Sequence, residues 1–138
     1  MFLHKDKKIE LLKSVPLFSH CNKKQLASIA QLADLVDLPS GADLIREGET
    51  GHEFLILVEG NGEVRRKGRK IDTIGPGDFI GEMALLTGAP RNATVRTTTP
   101  STLLAVTSRA FWGLLDQSPD IQKSVLKAVA DRLHPQTV

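Results

Sequence analysis

The sequence predicts a mainly β domain with flanking helices: an antiparallel β-roll, jelly-roll-like, between an N-terminal helical segment and two C-terminal helices. Three observations predict it. Ten of the eleven glycines fall between Gly41 and Gly88, with only Gly113 outside, so the middle is punctuated by turns while both flanks can be helical. That middle carries short strand-like runs at regular spacing, as a closed or rolled antiparallel sheet requires. The flanks carry apolar residues at helical spacing instead.

Over residues 5–14, Ile9, Leu12 and nearby Leu11 share one face before Val15-Pro16 stops the segment. Asn22 stands as an N-cap with Gln25 at the third helical position, a capping box. Leu26, Ile29, Ala30 and Ala33 then follow at helical spacing, and Pro39-Ser40-Gly41 closes the segment. Strands are expected over 43–46, 52–59, 62–66, 69–74, 93–98 and 101–106. Phe54-Leu55-Ile56-Leu57-Val58 is apolar throughout, which predicts burial on both faces. Ser108 is the expected cap of a helix over 109–117, and Ser118-Pro119-Asp120 opens another with proline at its first position. Ile121, Val125, Val129 and Leu133 recur every four residues, joined by Leu126 in one apolar stripe. The expected division of a single domain, 1–138, is helical over 1–38, β-roll over 39–107 and helical again over 108–134.

Length and composition bound the function. At 138 residues and 15.1 kDa the chain has the size of one domain, and 41% hydrophobic with 25% charged residues is globular composition. Eighteen basic against sixteen acidic residues leave +2, too little to argue for nucleic acid or an anionic membrane as main partner. The single Cys21 forms no intrachain disulfide, which suits a reducing compartment. No apolar run approaches the ~20 residues of a membrane span, and the first six residues are not a secretory leader. A soluble cytoplasmic domain is expected. His4, His20, His52 and His134 show no metal-ligand spacing, whereas a metal-binding cupin would bring clustered histidines on its strands. No Ser/His/Asp or Cys/His arrangement can be assembled. The expectation is a receptor with no cofactor and no metal, not an enzyme.

The chemistry concentrates in a segment over 77–95. A glycine-rich turn, Gly75-Pro76-Gly77-Asp78, leads through Phe79-Ile80-Gly81 into an expected helical turn from Glu82 to Leu86. A helix N-terminus offers unpaired N–H groups and a partial positive charge to an anion. Gly81 lacks the side chain that would block a phosphate. Arg91 comes ten residues later, between a proline and a β-branched strand, and its guanidinium is suited to clamp the same anion bidentately. Ionised Glu82 accepts but does not donate, so beside a phosphate it calls for a donor such as a ribose 2′-hydroxyl. Together these residues describe a pocket for a sugar phosphate.

Gly81-Glu82-Met83-Ala84-Leu85-Leu86, followed by Pro90-Arg91 and Ala93-Thr94-Val95, resembles the phosphate-binding cassette of cyclic nucleotide-binding domains. These occur in catabolite activator proteins, regulatory subunits of cAMP-dependent kinase and cyclic-nucleotide-gated channels. Val15-Pro16-Leu17-Phe18 is similar to the family's N-terminal entry, and Gly41, Glu47-Gly48, Gly51, Gly60 and Gly77-Asp78 fall where the family turns its β-roll. The resemblance implies that Glu82 binds the ribose 2′-hydroxyl and Arg91 the cyclic phosphate. It implies main-chain contacts from Gly81, Met83 and Ala84, and it places Asn92 and Ala93 beside the ligand. Many members carry alanine, serine or threonine where this chain has Asn92, which leaves cAMP against cGMP open. The implied ligand is cAMP, with cGMP as the alternative. The implied action is a signal-transducing sensor whose C-terminal helices move on binding, with Arg132 near the lid and an effector protein or domain as partner. The rivals are an interaction module of the same fold that has lost nucleotide binding, and the sensor part of a larger regulator.

Two further features are read as structural. Arg65-Arg66-Lys67-Gly68-Arg69-Lys70 has the composition of a nucleic-acid or lipid contact but reads as a solvated hairpin turning at Lys67-Gly68. Trp112 is expected to pack its helix against the roll. Only five residues follow Leu133, too few for a helix-turn-helix, so direct DNA binding is not expected.

Overall fold

The structure is a computed structural model that describes residues 2–15, 18, 21–81 and 87–133. Among these residues, eight strands form two antiparallel four-stranded sheets. One holds β1 (Ala33–Leu38), β8 (Ser101–Thr107), β3 (Glu53–Glu59) and β6 (Phe79–Ile80) in that order. The other holds β2 (Asp43–Ile45), β7 (Thr94–Thr97), β4 (Gly62–Arg66) and β5 (Arg69–Ile74). Helices α1 (Phe2–Lys13) and α2 (Lys23–Leu32) precede the roll, and α3 (Ser108–Gln117) and α4 (Pro119–Leu133) follow it.

The strand period of two divides the core in half. On β3, Phe54, Ile56 and Val58 join Leu104 and Val106 of β8 in a cluster with the helices, while Leu55 and Leu57 join Leu103 and Ala105 between the sheets. The uninterrupted apolar run is thus buried on both faces, as expected. Phe54 is central: its ring lies 4.8 Å from Phe111 on α3 and 5.4 Å from Phe79 on β6. Helix α3 is thus seated, through Phe111, on the same Phe54 ring that meets Phe79, two residues before Gly81.

Local chemistry sets several boundaries. Asn22 and Gln25 form the reciprocal capping box at the start of α2, both bonds 2.8 Å. Pro119 opens α4, and Ser118 Oγ accepts from Ile121 N–H. Lys67 and Gly68 both have positive φ, at 53° and 78°, which is the backbone of a type I′ hairpin turn.

Four expectations are corrected. Residues 33–38 are not helical: Ala33 is extended (φ −101°, ψ 137°), and β1 pairs with β8 from Ala33↔Val106 to Leu38↔Ser101. The ladder with a distant strand overrides the helical spacing of Ala33, so the β region begins at 33 and not 39. The cap of α3 is Thr107, whose hydroxyl accepts from Ala110 N–H, and Ser108 is already helical. Leu126 leaves the apolar stripe and stands 68% exposed, while Ile121 and Val125 are buried. Trp112 is 41% exposed, its ring edge-on to Phe111, which is buried and packs the helix instead. Among the described residues no helix is long and apolar enough to cross a membrane.

Candidate functional site

The turn before Gly81 is fixed to β3. Gly77 N–H donates to Leu57 O and Leu57 N–H to Asp78 O, each at 2.8 Å, while the Asp78 carboxylate accepts from Gly75 N–H. Gly77, at φ +93°, supplies a conformation that other residues rarely adopt. The chain then runs through β6 to Gly81, beside the start of β3.

Arg91 is gripped there from both sides. Its main chain is zipped to the turn after β2: Arg91 N–H donates to Glu49 O and Gly48 N–H to Arg91 O, both at 2.8 Å. Its side chain is buried, 7% exposed. Nη1 donates to Gly81 O at 3.0 Å and Nη2 to Glu53 O at 2.8 Å. Burying a guanidinium is costly unless its N–H groups are bonded, and these carbonyls bond two of them.

Two glycines wall the guanidinium. A Cβ on Gly51 would lie 2.3 Å from Arg91 Cζ and 2.4 Å from Nε. A Cβ on Gly81 would lie 2.5 Å from Nη1 and 2.9 Å from Glu53 O, and Gly81 also has φ +93°. Only glycine suits either place, for space alone at Gly51 and for space and conformation at Gly81. Gly81 is marked in the sequence as a site residue, whereas Gly51 is marked only as a turn and the carbonyls of Glu53 and Glu49 not at all.

Of the remaining expected site residues, Asn92 is exposed and Ala93 buried, each directly after Arg91. The Asn92 main-chain carbonyl accepts from Arg66 Nε at 2.8 Å. Glu82, Met83 and Ala84 lie outside the described residues, as does the expected helical turn from Glu82 to Leu86. Arg132 falls within α4, and its side chain lies outside what is described. The structure therefore brings Gly81, Arg91, Asn92 and Ala93 together at one end of the roll. A planar cation held edge-on by two carbonyls, with glycine on either side, is suited to an oxyanion that presents two oxygens.

Nearby charges are paired. Asp43 accepts from Arg96 Nε at 2.7 Å and Arg46 Nε at 3.1 Å, and Arg96 above all holds its carboxyl below the usual aspartate range. Arg65 Nε does the same for Glu63 at 2.8 Å. Among the described residues no group of histidine, cysteine and carboxylate side chains is arranged to hold a metal ion.

Comparison with known proteins gives the family. The profile of the family described as cyclic nucleotide-binding domain matches residues 35–118, well over half the chain. The chain belongs to the cyclic nucleotide-binding domain family. It is 34% identical over 123 residues to a cyclic nucleotide-gated potassium channel of Rhizobium etli, covering 89% of this chain and 34% of that one. It is 33% identical over 119 residues to a cAMP-dependent protein kinase regulatory subunit of Schizosaccharomyces pombe, covering 86% of this chain and 29% of that one. The domain thus spans about a third of the length of these relatives. Among solved structures, one titled Sp-2Cl-cAMPS bound to PKAR CBD2 superposes with a TM-score of 0.82 at 24% identity, covering 98% of this chain and 92% of that one. It shows the fold: the β-roll with helices on both flanks.

Proposed function

We propose that this domain is a receptor for a cyclic nucleotide, cAMP in preference to cGMP, and that it signals rather than catalyses. The observation that carries the reading is the buried Arg91 guanidinium, held between Gly51 and Gly81 by the carbonyls of Gly81 and Glu53. A cyclic phosphate brings two exocyclic oxygens to one edge of that plane, a bidentate charged pairing that guanidinium geometry favours. Gly81 and the Asn92-Ala93 segment border the same space, and Glu82 takes the ribose 2′-hydroxyl, the role its place in the cassette supports. The relatives support the ligand class, since they are named for cyclic nucleotide gating and cAMP dependence.

The output is movement of the C-terminal helices. Phe111 of α3 packs on Phe54, one residue from the Glu53 whose carbonyl holds Arg91, and Ser108 N–H donates to His52 O at 2.8 Å. A ligand that draws Arg91 away from Glu53 O therefore acts on the strand end against which α3 is seated. With α4 as a lid, Arg132 closes over the ligand, and an effector protein or domain reads the change. Calorimetric titration with cAMP and cGMP tests the ligand, and hydrogen exchange over 125–133 tests the lid. Saturable binding with cAMP the tighter, and slower exchange on binding, are expected. Tighter cGMP binding overturns the preference, and no binding of either nucleotide overturns the reading.

A further inference from the structure

The hairpin between β4 and β5 carries five cations in six residues, and the structure divides their work. Arg65 folds back on its own hairpin, Nε on Glu63 and Nη1 on Gly68 O at 3.1 Å. Arg66 reaches off it. Its Nε donates to the carbonyl of Asn92, the residue after Arg91, at 2.8 Å. The adjacent Lys67 N–H donates to the Glu47 carboxylate at 2.9 Å, and Glu47 N–H donates to Thr94 Oγ1 at 2.9 Å. Three turns far apart in sequence are laced together around Arg91.

Arg91 itself is fixed by Gly48 and Glu49, whereas the next peptide, Asn92–Ala93, lies outside that pair of bonds. It is trans, as are all the described peptide bonds, so its C=O and N–H point in opposite directions. Drawing the Asn92 carbonyl toward the hairpin turns the Ala93 N–H away from it and sets how the chain enters β7. We propose that Arg66 is a positioning residue of the nucleotide site, holding the Asn92–Ala93 peptide so that Arg91 and the Ala93 N–H face the phosphate together. The proposal rests on the cyclic-nucleotide reading above. It differs from a charge effect because Arg69 and Lys70 share the hairpin and the charge, yet among the described residues neither is hydrogen-bonded to 91–94.

The test compares wild type, R66A, R66Q and R69A in calorimetric titrations with cAMP and cGMP, alongside amide exchange over 91–95 without ligand. R66A should bind about tenfold more weakly, the scale of one charged hydrogen bond near the surface. R66Q, a neutral donor, should recover part of that loss, and R69A should stay within about twofold of wild type. Exchange over 91–95 should quicken in R66A and not in R69A. Equal losses in R66A and R69A, or in R66A and R66Q, would make Arg66 a charge and not a tether, and overturn the proposal. So would wild-type affinity in R66A. Wild type that binds neither nucleotide would instead bring down the binding reading itself, and this role with it.

Discussion

Arg91 and Arg96 lie five residues apart, at the entrance to β7 and on it, and the fold treats them in opposite ways. Arg91 is buried, its guanidinium bonded to two main-chain carbonyls between glycine walls. The Arg96 side chain is 46% exposed and bonded to the Asp43 carboxylate. A carbonyl orients a guanidinium without cancelling its charge, whereas a carboxylate does both. In the proposed function, the bonds from Arg91 to the carbonyls of Gly81 and Glu53 are the ones that phosphate oxygens would replace. Those at Arg96 would be exchanged for nothing better. Equal residue types at neighbouring positions thus have different surroundings: the buried one is given to the ligand in the proposed function, while the exposed one ties β7 to Asp43 of β2.

Arginine-to-alanine changes at the two positions give the widest separation. Removing the main countercharge from a buried phosphate costs ~2–5 kcal/mol, so R91A should weaken cAMP roughly 30- to several-thousand-fold. R96A should leave affinity within about twofold and lower the melting temperature slightly, as loss of an exposed ion pair does. Calorimetry with a circular dichroism melt reads both. Equal affinities in R91A and wild type would remove Arg91 from the site.

A second change tests the walls and leaves the charge alone. In G51A the new Cβ would meet Arg91 Cζ at 2.3 Å, and Gly51 does not have the left-handed φ that makes substitution strained by itself. The guanidinium must therefore move from its carbonyls. Affinity should fall about tenfold to a hundredfold with a stability loss of ~1–3 kcal/mol, the usual scale of overpacking. G81A meets Arg91, Glu53 O and a φ of +93° together, so its stability loss should be the larger. Undiminished binding in G51A would show that the slot does not aim Arg91.

What was legible in the sequence was what short-range chemistry decides. The Asn22–Gln25 box, the Lys67-Gly68 turn, the proline start of α4 and the two-sided run of β3 each follow from a few adjacent residues. What was illegible needed a partner far along the chain. Ala33–Leu38 is a strand because β8 supplies its ladder, and nothing within the segment announces that. Arg91 was identifiable from its cassette, but the carbonyls of Gly81 and Glu53 that accept from it are main-chain groups, which leave no mark in a sequence. Gly51 was visible only as a turn residue; that it lacks a left-handed φ, and so owes its place to the close approach of Arg91, is a property of the folded chain alone. Trp112 was misjudged by size, although Phe111, Leu114 and Leu115 already fix the buried face of α3.

The smallest effect concerns the acid response of the Arg96 side of the comparison. Arg96 and Arg46 donate to Asp43 and hold its carboxyl below the usual aspartate range. The folded protein therefore takes up this proton less readily than the unfolded chain does. The resulting stabilisation is complete above the ordinary aspartate pKa of ~3.9 and disappears as pH falls through the lower folded value. Asp43→Asn removes that contribution at every pH. Wild type should melt higher at pH 7 by roughly a degree or two, because both arginines are largely exposed. The two melting curves should converge as pH falls below the ordinary aspartate value and through the lower folded one, where the carboxylate is lost. Nucleotide affinity at pH 7 should stay within about twofold, since main-chain groups seat Arg91 and Asp43 touches none of them. A gap in melting temperature that is constant with pH would show that Asp43 acts by packing and not by charge. A loss of binding as large as that in R91A would erase the distinction between the two arginines.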